Sequence, residues 1–243
     1  MATDRPRVLI NMAVGLDGKT SPVRAWRRGP LVLSHGTEDP RRMRAIRARA
    51  DAIVIGASNL RDDDPDLALD AAERHERRKD GVRDPLRVVV TTRGEGLSAR
   101  QRFFDRELGG PSIVAHALPL DRELRAELEP LATLVSFEPP RVPIGGLLEL
   151  LERQGVRSVL CEGGSELNAH FFEARAVDEL FLTLVPRVFG GRDAPGVVGG
   201  GGFGAGAIPD ARLLSSERVG DELFLHYAFE WAAQRPEPAA TSR

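Results

Sequence analysis

The sequence predicts an α/β fold, with a mixed, mostly parallel sheet covered by helices and closed by antiparallel strands. Short apolar segments typical of buried strands alternate with helical segments over the first two thirds of the 243 residues. Strand-like segments 178–186, 210–217 and 222–230 then follow with no helix between them, which favours antiparallel pairing. The glycine-rich run 196–206 is too short for a domain linker, so we expect one domain at 1–230 and a disordered tail at 231–243.

The elements follow in order along the chain. The segment 38–50 is predicted to be a helix, because its apolar residues fall on one helical face. Thr37 is its expected N-cap. Ser58 or Asn59 is expected to cap the turn after the second strand. The segment 70–85 is charged and has no apolar face, which predicts a solvated excursion. Further strands are predicted at 7–14, 51–56, 86–91, 112–116, 132–137 and 156–161, and further helices at 121–129, 143–154 and 165–175.

Composition excludes several functional classes. A net charge of −2 gives no electrostatic footprint for nucleic acid or for an anionic membrane. Cys161 is the only cysteine, which rules out an internal disulfide and a cysteine-rich metal site, and we expect no metal. The start of the chain has no apolar leader segment and no apolar run has the length of a membrane span, so we expect a cytoplasmic protein. Hydrolase, P-loop and zinc-deaminase motifs are absent, and the histidines are scattered.

The turn Glu162-Gly163-Gly164 is the most informative segment. It joins a predicted strand to a predicted helix, so free N–H groups of the first helical turn point at whatever lies there. A phosphate group suits such a place. The alternative is a tight turn that uses glycine for geometry alone, and the segment lacks a Gly-x-Gly-x-x-Gly fingerprint.

Two further segments carry polar groups at strand ends. Asn59 and Asp63 lie four residues apart, on one helical face, and can bond a ligand's ribose hydroxyls or amide. They can also be solvated groups compatible with the helix dipole, and a metal site ranks last. Lys19 follows the turn signal Asp17-Gly18 and can hold an anion or supply a proton.

The order of these motifs resembles a known family, the reductase domain of riboflavin biosynthesis, whose three-layer fold is similar to dihydrofolate reductase. The resemblance rests on Met12–Lys19, Arg44–Gly56, Asp62–Pro65, Val159–Gly164, Val177–Leu180 and Pro186–Gly191, and covers roughly residues 7–230. The family domain is often fused to a zinc deaminase; no deaminase motif occurs in this sequence, so we expect a stand-alone reductase.

The resemblance implies an NADPH-dependent oxidoreductase that acts on a CH–OH or carbonyl group. It would reduce a phosphoribosylamino-pyrimidine, a uracil or its 2,5-diamino analogue, by hydride transfer to C1′ of the opened ribose. It also implies a homodimer. By position, Lys19 would lie near the sugar as the catalytic residue, and Arg47, Leu67 and Glu162 would bind the substrate. The cofactor would lie on Ala13, Asn59, Asp63, Gly164, Ser165, Glu166, Leu167 and Asn168, with the helix continuing to His170.

Three residues depart from the family pattern. Asn59 replaces the usual Thr and Gly15 the usual Ser. Asp70 stands where an arginine would help to hold the substrate phosphate, and an anion there would repel it. Arg74, Arg77 or Arg78 can substitute only if the 70–85 segment folds back. A reductase of another pterin-like or carbonyl substrate, and a catalytically silent NADP-binding sensor, therefore stay as alternatives.

Overall fold

A computed structural model describes residues 5–23, 33–34 and 36–231 of the chain. Its core is one nine-stranded sheet in the order β5-β4-β3-β2-β6-β1-β7-β9-β8. The strands are β1 (Arg7–Val14), β2 (Ala52–Gly56), β3 (Leu86–Thr91), β4 (Ser112–His116), β5 (Ala132–Ser136), β6 (Ser158–Cys161), β7 (Glu179–Leu184), β8 (Ala211–Val219) and β9 (Glu222–Phe229).

Six α-helices connect and cover these strands in the described part of the chain. They are α1 (Glu38–Arg47), α2 (Ala57–Asp63), α3 (Ala71–Lys79), α4 (Arg122–Leu128), α5 (Ile144–Arg153) and α6 (Ser165–Glu173). None of them is long and apolar enough to cross a membrane.

The sheet is parallel from β5 to β7 and antiparallel at β7-β9-β8. Each face carries its own core: Val54, Leu147 and Phe171 belong to one, Ile53, Leu60 and Phe103 to the other. Side chains of successive strand residues point to opposite faces, so Ile53 and Val54 supply different layers. The predicted mixed α/β fold, with antiparallel C-terminal strands, is confirmed.

The predicted excursion at 70–85 is wrong over its first half, because this segment forms α3. Asp70 accepts a hydrogen bond from the Glu73 amide at 2.9 Å, and the Glu73 side chain accepts one from the Asp70 amide at 3.0 Å. This capping box offsets the lack of an apolar face. Arg77 also ties α3 to the end of α1 and to the loop before β3, since its guanidinium donates to the carbonyls of Ala48 and Arg83.

Of the predicted helix caps, Thr37 is confirmed in position, whereas the cap at Ser58 or Asn59 is wrong. Thr37 is the N-cap residue of α1 but makes no side-chain cap bond. The N-cap of α2 is Gly56, so Ser58 and Asn59 lie inside its first turn, free to point elsewhere. Of the expected tail, Trp231 packs on Phe172 and donates to the carbonyl of Val177 at 2.6 Å. The rest, 232–243, lies outside the described residues.

Candidate active site

A cavity of about 850 Å³ opens along the carboxyl ends of the parallel strands. Its lining comes from β1, the end of β3, helices α1, α2 and α6, and the turn that follows β6. Ligands of open α/β sheets bind at this edge, where the strand connections diverge to the two faces. Predicted residues that line it are Ala13, Asn59, Asp63, Glu162, Gly164, Ser165, Glu166, Leu167 and His170.

The Gly163-Gly164 turn brings backbone to the floor of this cavity. Gly163 has a φ of +80°, a region that favours glycine, and the Gly163–Gly164 peptide bond is cis. The Gly163 carbonyl accepts from the Gly56 amide at 2.8 Å, which ties the turn to the start of α2. A Cβ added to Gly164 would lie 2.6 Å from Oδ1 of Asn59. The N-termini of α2 and α6 therefore meet at a point where no side chain fits.

The first turn of α6 holds the glycine-rich loop as well as facing the cavity. The Glu166 carboxylate accepts from the Gly200 amide at 3.1 Å, and the Ser165 hydroxyl donates to the Gly196 carbonyl. Asn168 is fully buried and does not line the cavity. Its side-chain amide donates to the Val197 carbonyl at 2.7 Å, and its oxygen accepts from the Cys161 thiol at 3.3 Å.

The Cys161 thiol is enclosed beneath this turn. Burial raises its pKa to about 12, and it lies outside the cavity lining. A thiol that stays protonated is neither a nucleophile nor a metal ligand. Cys161 is therefore part of the core, as a small apolar residue would be.

Lys19 lies beside the cavity rather than in its lining. Its ammonium donates to the Ala194 carbonyl at 2.8 Å, and its backbone bridges to Gly196. The next two residues, Thr20 and Ser21, do line the cavity. A Cβ at Gly15, in the same loop, would lie 2.6 Å from the Arg187 carbonyl, which gives a steric reason for glycine at this position.

Arg47 and Glu162 form a buried, two-bonded ion pair. Nε and Nη2 of Arg47 donate to the two carboxylate oxygens of Glu162 at 2.6 and 2.7 Å. Arg47 is thus turned toward the end of β6, and Glu162 alone of the two lines the cavity. Leu67, the third residue assigned to the substrate, is 2% exposed with a φ of +55° and lies outside the lining.

The arginines near Asp70 do not replace the expected phosphate-binding arginine. Arg74 donates to the Glu107 carbonyl, Arg77 to backbone carbonyls, and Arg78 pairs with Asp84 at 3.6 Å. None of the three lines the cavity, and neither does Asp70.

Arg141 and Asp39 are among the charged lining residues that the motifs did not single out. Arg141, at the start of α5, pairs with Glu173 of α6 at 2.8 Å and faces the cavity beside His170. Burial and the nearby Arg141 charge lower the pKa of His170. Asp39, in the first turn of α1, lies at the opposite end with Asn11 and Met43. Sequence offered only a helix-dipole reason for Asp39, because its place depends on how α1 packs.

No group of three potential metal ligands occurs among the residues that the structure describes.

Comparison with known sequences identifies relatives over most of the chain. A sequence model of the RibD C-terminal domain matches residues 6–225. The chain is 36% identical over 219 residues to a 2,5-diamino-6-ribosylamino-4(3H)-pyrimidinone 5′-phosphate reductase of Archaeoglobus fulgidus, covering 89% of this chain and 95% of the relative. The reductase of the same name from Methanothermobacter thermautotrophicus is 33% identical, over 92% of this chain and 98% of its own.

Solved structures share the fold at low identity. RibD of Acinetobacter baumannii matches with a TM-score of 0.73 and 21% identity, over 95% of this chain and 59% of that one. A pyrimidine reductase-like protein of Corynebacterium diphtheriae matches with a TM-score of 0.76 and 17% identity, over 93% of both chains. The chain thus spans about three fifths of the RibD chain and nearly the whole of the Corynebacterium diphtheriae one.

Proposed function

Because the chain belongs to the family of the RibD C-terminal domain, we propose that it is an NADPH-dependent reductase of riboflavin biosynthesis. Its substrate would be 2,5-diamino-6-ribosylamino-4(3H)-pyrimidinone 5′-phosphate or the related aminouracil, and the bond reduced would be at C1′ of the opened ribose. The enzyme would work as a cytoplasmic homodimer. The observation that carries the proposal is the cavity that runs from the Gly163-Gly164 turn to Asp39.

The residues at the β2-β6 end of the cavity fit a dinucleotide. The N-termini of α2 and α6 supply backbone N–H groups, and the absence of side chains at Gly163 and Gly164 lets a diphosphate approach them. Asn59, Asp63, Ser165, Glu166 and Leu167 would surround the cofactor, with Ala13 under its nicotinamide. At the far end of the cofactor, Arg141 would add a positive charge and His170 an imidazole ring. Asn168 would act indirectly, by holding the loop at Val197.

The protein's task in such a reaction is mainly to align the reactants. When bound, NADPH supplies the hydride that reduces C1′. The chain must hold the sugar carbon against the nicotinamide and exclude water, and hydride transfer needs this alignment more than a strong acid or base. Lys19, held by the Ala194 carbonyl, would lie near the sugar and supply a proton or hold an anion.

The Arg47–Glu162 pair would lie between the bound NADPH and the pyrimidine substrate. Each Glu162 oxygen already accepts from Arg47, which fixes the carboxylate plane and leaves its outer face to the cavity. Glu162 would then accept hydrogen bonds from N–H groups of the pyrimidine. Arg47 and Leu67, which do not line the cavity, would support this side of it without touching the substrate.

Steady-state oxidation of NADPH tests the proposal directly. We expect turnover with the phosphoribosylamino-pyrimidines and stabilisation by NADPH in a thermal-shift titration. Tight NADPH binding without turnover of either pyrimidine would favour another carbonyl or pterin-like substrate, or a silent NADP sensor. If neither NADPH nor NADP stabilised the protein, every cofactor-based assignment would fail.

A further inference from the structure

The cavity has two chemically different ends. The dinucleotide-type groups lie over β3, β2 and β6, whereas Asp39 lies where α1 packs over β7 and β9. Four strand spacings separate β3 from β7, which amounts to about 19 Å. Asp39 is therefore at the end left to the substrate when the cofactor occupies the other.

Two strands place polar side chains beside the Asp39 carboxylate. The Thr183 hydroxyl of β7 hydrogen-bonds its carboxylate, and the buried Glu222 carboxylate of β9 faces it. Burial and the charge of Glu222 together raise the pKa of Asp39, against the Thr183 bond and the Arg42 charge. The Arg42 guanidinium is occupied elsewhere, since it donates to Glu38 and Glu217 and lies 4.2 Å from the centre of the Phe224 ring.

This environment defines the ligand group that suits it. Two carboxylates in one half-buried place repel a phosphate and attract N–H donors. A carboxylate presents two parallel acceptors, so it pairs best with two adjacent donors on a rigid ring. The 2-amino-4(3H)-pyrimidinone ring has this arrangement in its N3–H and its 2-amino group. A uracil ring has a carbonyl in place of the amino group, which would face a carboxylate oxygen unpaired.

We propose that Asp39 is a specificity-determining residue, which binds the 2-amino and N3–H edge of the substrate and selects the diaminopyrimidinone over the aminouracil. The proposal rests on the proposed function and names the group that distinguishes its two substrates. Glu162, whose two oxygens accept from Arg47, would serve the other N–H groups of the pyrimidine with the face that Arg47 leaves open.

The test is the ratio of kcat/KM for the diaminopyrimidinone to that for the aminouracil, compared between the wild type and Asp39→Asn. An asparagine amide can donate to the uracil carbonyl while its oxygen accepts from N3–H, so the ratio should fall by a factor of ten or more, mostly through KM. Glu38→Gln is the matched control, because Glu38 lies in the same helical turn, pairs with Arg41 and Arg42, and does not line the cavity. Its ratio should stay within twofold of the wild type.

A second variant and a binding measurement test the role of Asp39 independently of Asp39→Asn turnover. If Asp39→Asn does not fold, Thr183→Val keeps the carboxylate, removes the bond that orients it, and should lower the ratio in the same direction. Calorimetric binding of the two pyrimidines without NADPH reports the same selectivity independently of turnover. An unchanged ratio in Asp39→Asn, or a change produced by Glu162→Gln instead, overturns the assignment. Selective binding without turnover would instead contradict the proposed function and leave Asp39 as the selector.

Discussion

At the scale of single residues, the site depends on places where a side chain is excluded. Gly164 is the sharpest case, because an added Cβ would lie 2.6 Å from Oδ1 of Asn59. The sequence indicated a glycine turn before a helix, but it left the choice between a phosphate site and a bare turn open. The opposing Asn59 belongs to another helix, 105 positions earlier in the chain (164 minus 59), so no local pattern contains this contact.

Gly164→Ala should weaken NADPH binding by a factor of ten or more, because Asn59 and the turn must move apart to admit the methyl group. Gly145→Ala is the matched control: it lies within α5, nothing lies within 4 Å of its added Cβ, and alanine should stabilise the helix by about 0.5–1 kcal/mol. Fluorescence titration with NADPH measures the affinity. An unchanged dissociation constant in Gly164→Ala would mean that the cofactor does not approach this turn.

At the scale of elements, α1 is joined to the end of β6 by the Arg47–Glu162 pair. Both side chains are buried, at 7% and 10% exposure. Removal of one partner leaves the other charge unpaired, so we expect Arg47→Ala to lower the free energy of unfolding by about 3–5 kcal/mol. The double variant Arg47→Met, Glu162→Gln should recover much of this loss. Urea unfolding measures both, and a loss under 1 kcal/mol in Arg47→Ala would show that the pair is solvated.

The helix α3 was not predicted, because its sequence carries no apolar stripe. All the predicted strands and the other helices after residue 36 are present within a few residues. Most of them bury apolar residues, whereas β8 is exposed along its whole length. In α3 the stabilising groups are instead the Asp70–Glu73 capping box and the bonds of Arg77, a side chain that the sequence suggests is exposed. Whether Arg77 meets the Ala48 carbonyl depends on how α3 packs against the end of α1, which the local sequence does not determine.

Asp70 consequently has a structural task, where the family resemblance suggested a substrate contact. Asp70→Ala should lower stability by about 1 kcal/mol, whereas Asp70→Ser, which preserves the cap, should cost little. Neither should change KM for the phosphorylated substrate by more than twofold, because Asp70 does not line the cavity. Chemical denaturation and steady-state kinetics separate the two readouts. A large drop in KM in both variants would place Asp70 against the substrate phosphate after all.

At the scale of the whole molecule, the cavity is assembled from segments that are remote in sequence. Glu162, Asn59 and Ala13 were predicted because each belongs to a recognisable motif, and all three reach the lining. Lys19, Arg47, Leu67 and Asn168, which the family resemblance also implied, lie outside the lining and are bonded or buried beside it. Motif order thus locates the site, whereas the packing of α1 and of the 194–200 loop decides which side chains face it.

The C-terminal hairpin carries the last prediction at this scale, that two copies of the chain associate. Every residue of β8 is exposed, and the exposed large apolar side chains of the hairpin include Leu213, Leu214, Val219 and Leu223. An exposed edge strand of this length, with several exposed apolar side chains, is a ready surface for pairing. We therefore expect a mass of twice 26.5 kDa by light scattering. Leu213→Lys with Val219→Lys should give a monomer. Val82→Lys, at an exposed apolar residue after α3, should remain a dimer. A monomeric wild type at micromolar concentration would contradict the expectation and assign the exposed hairpin another partner.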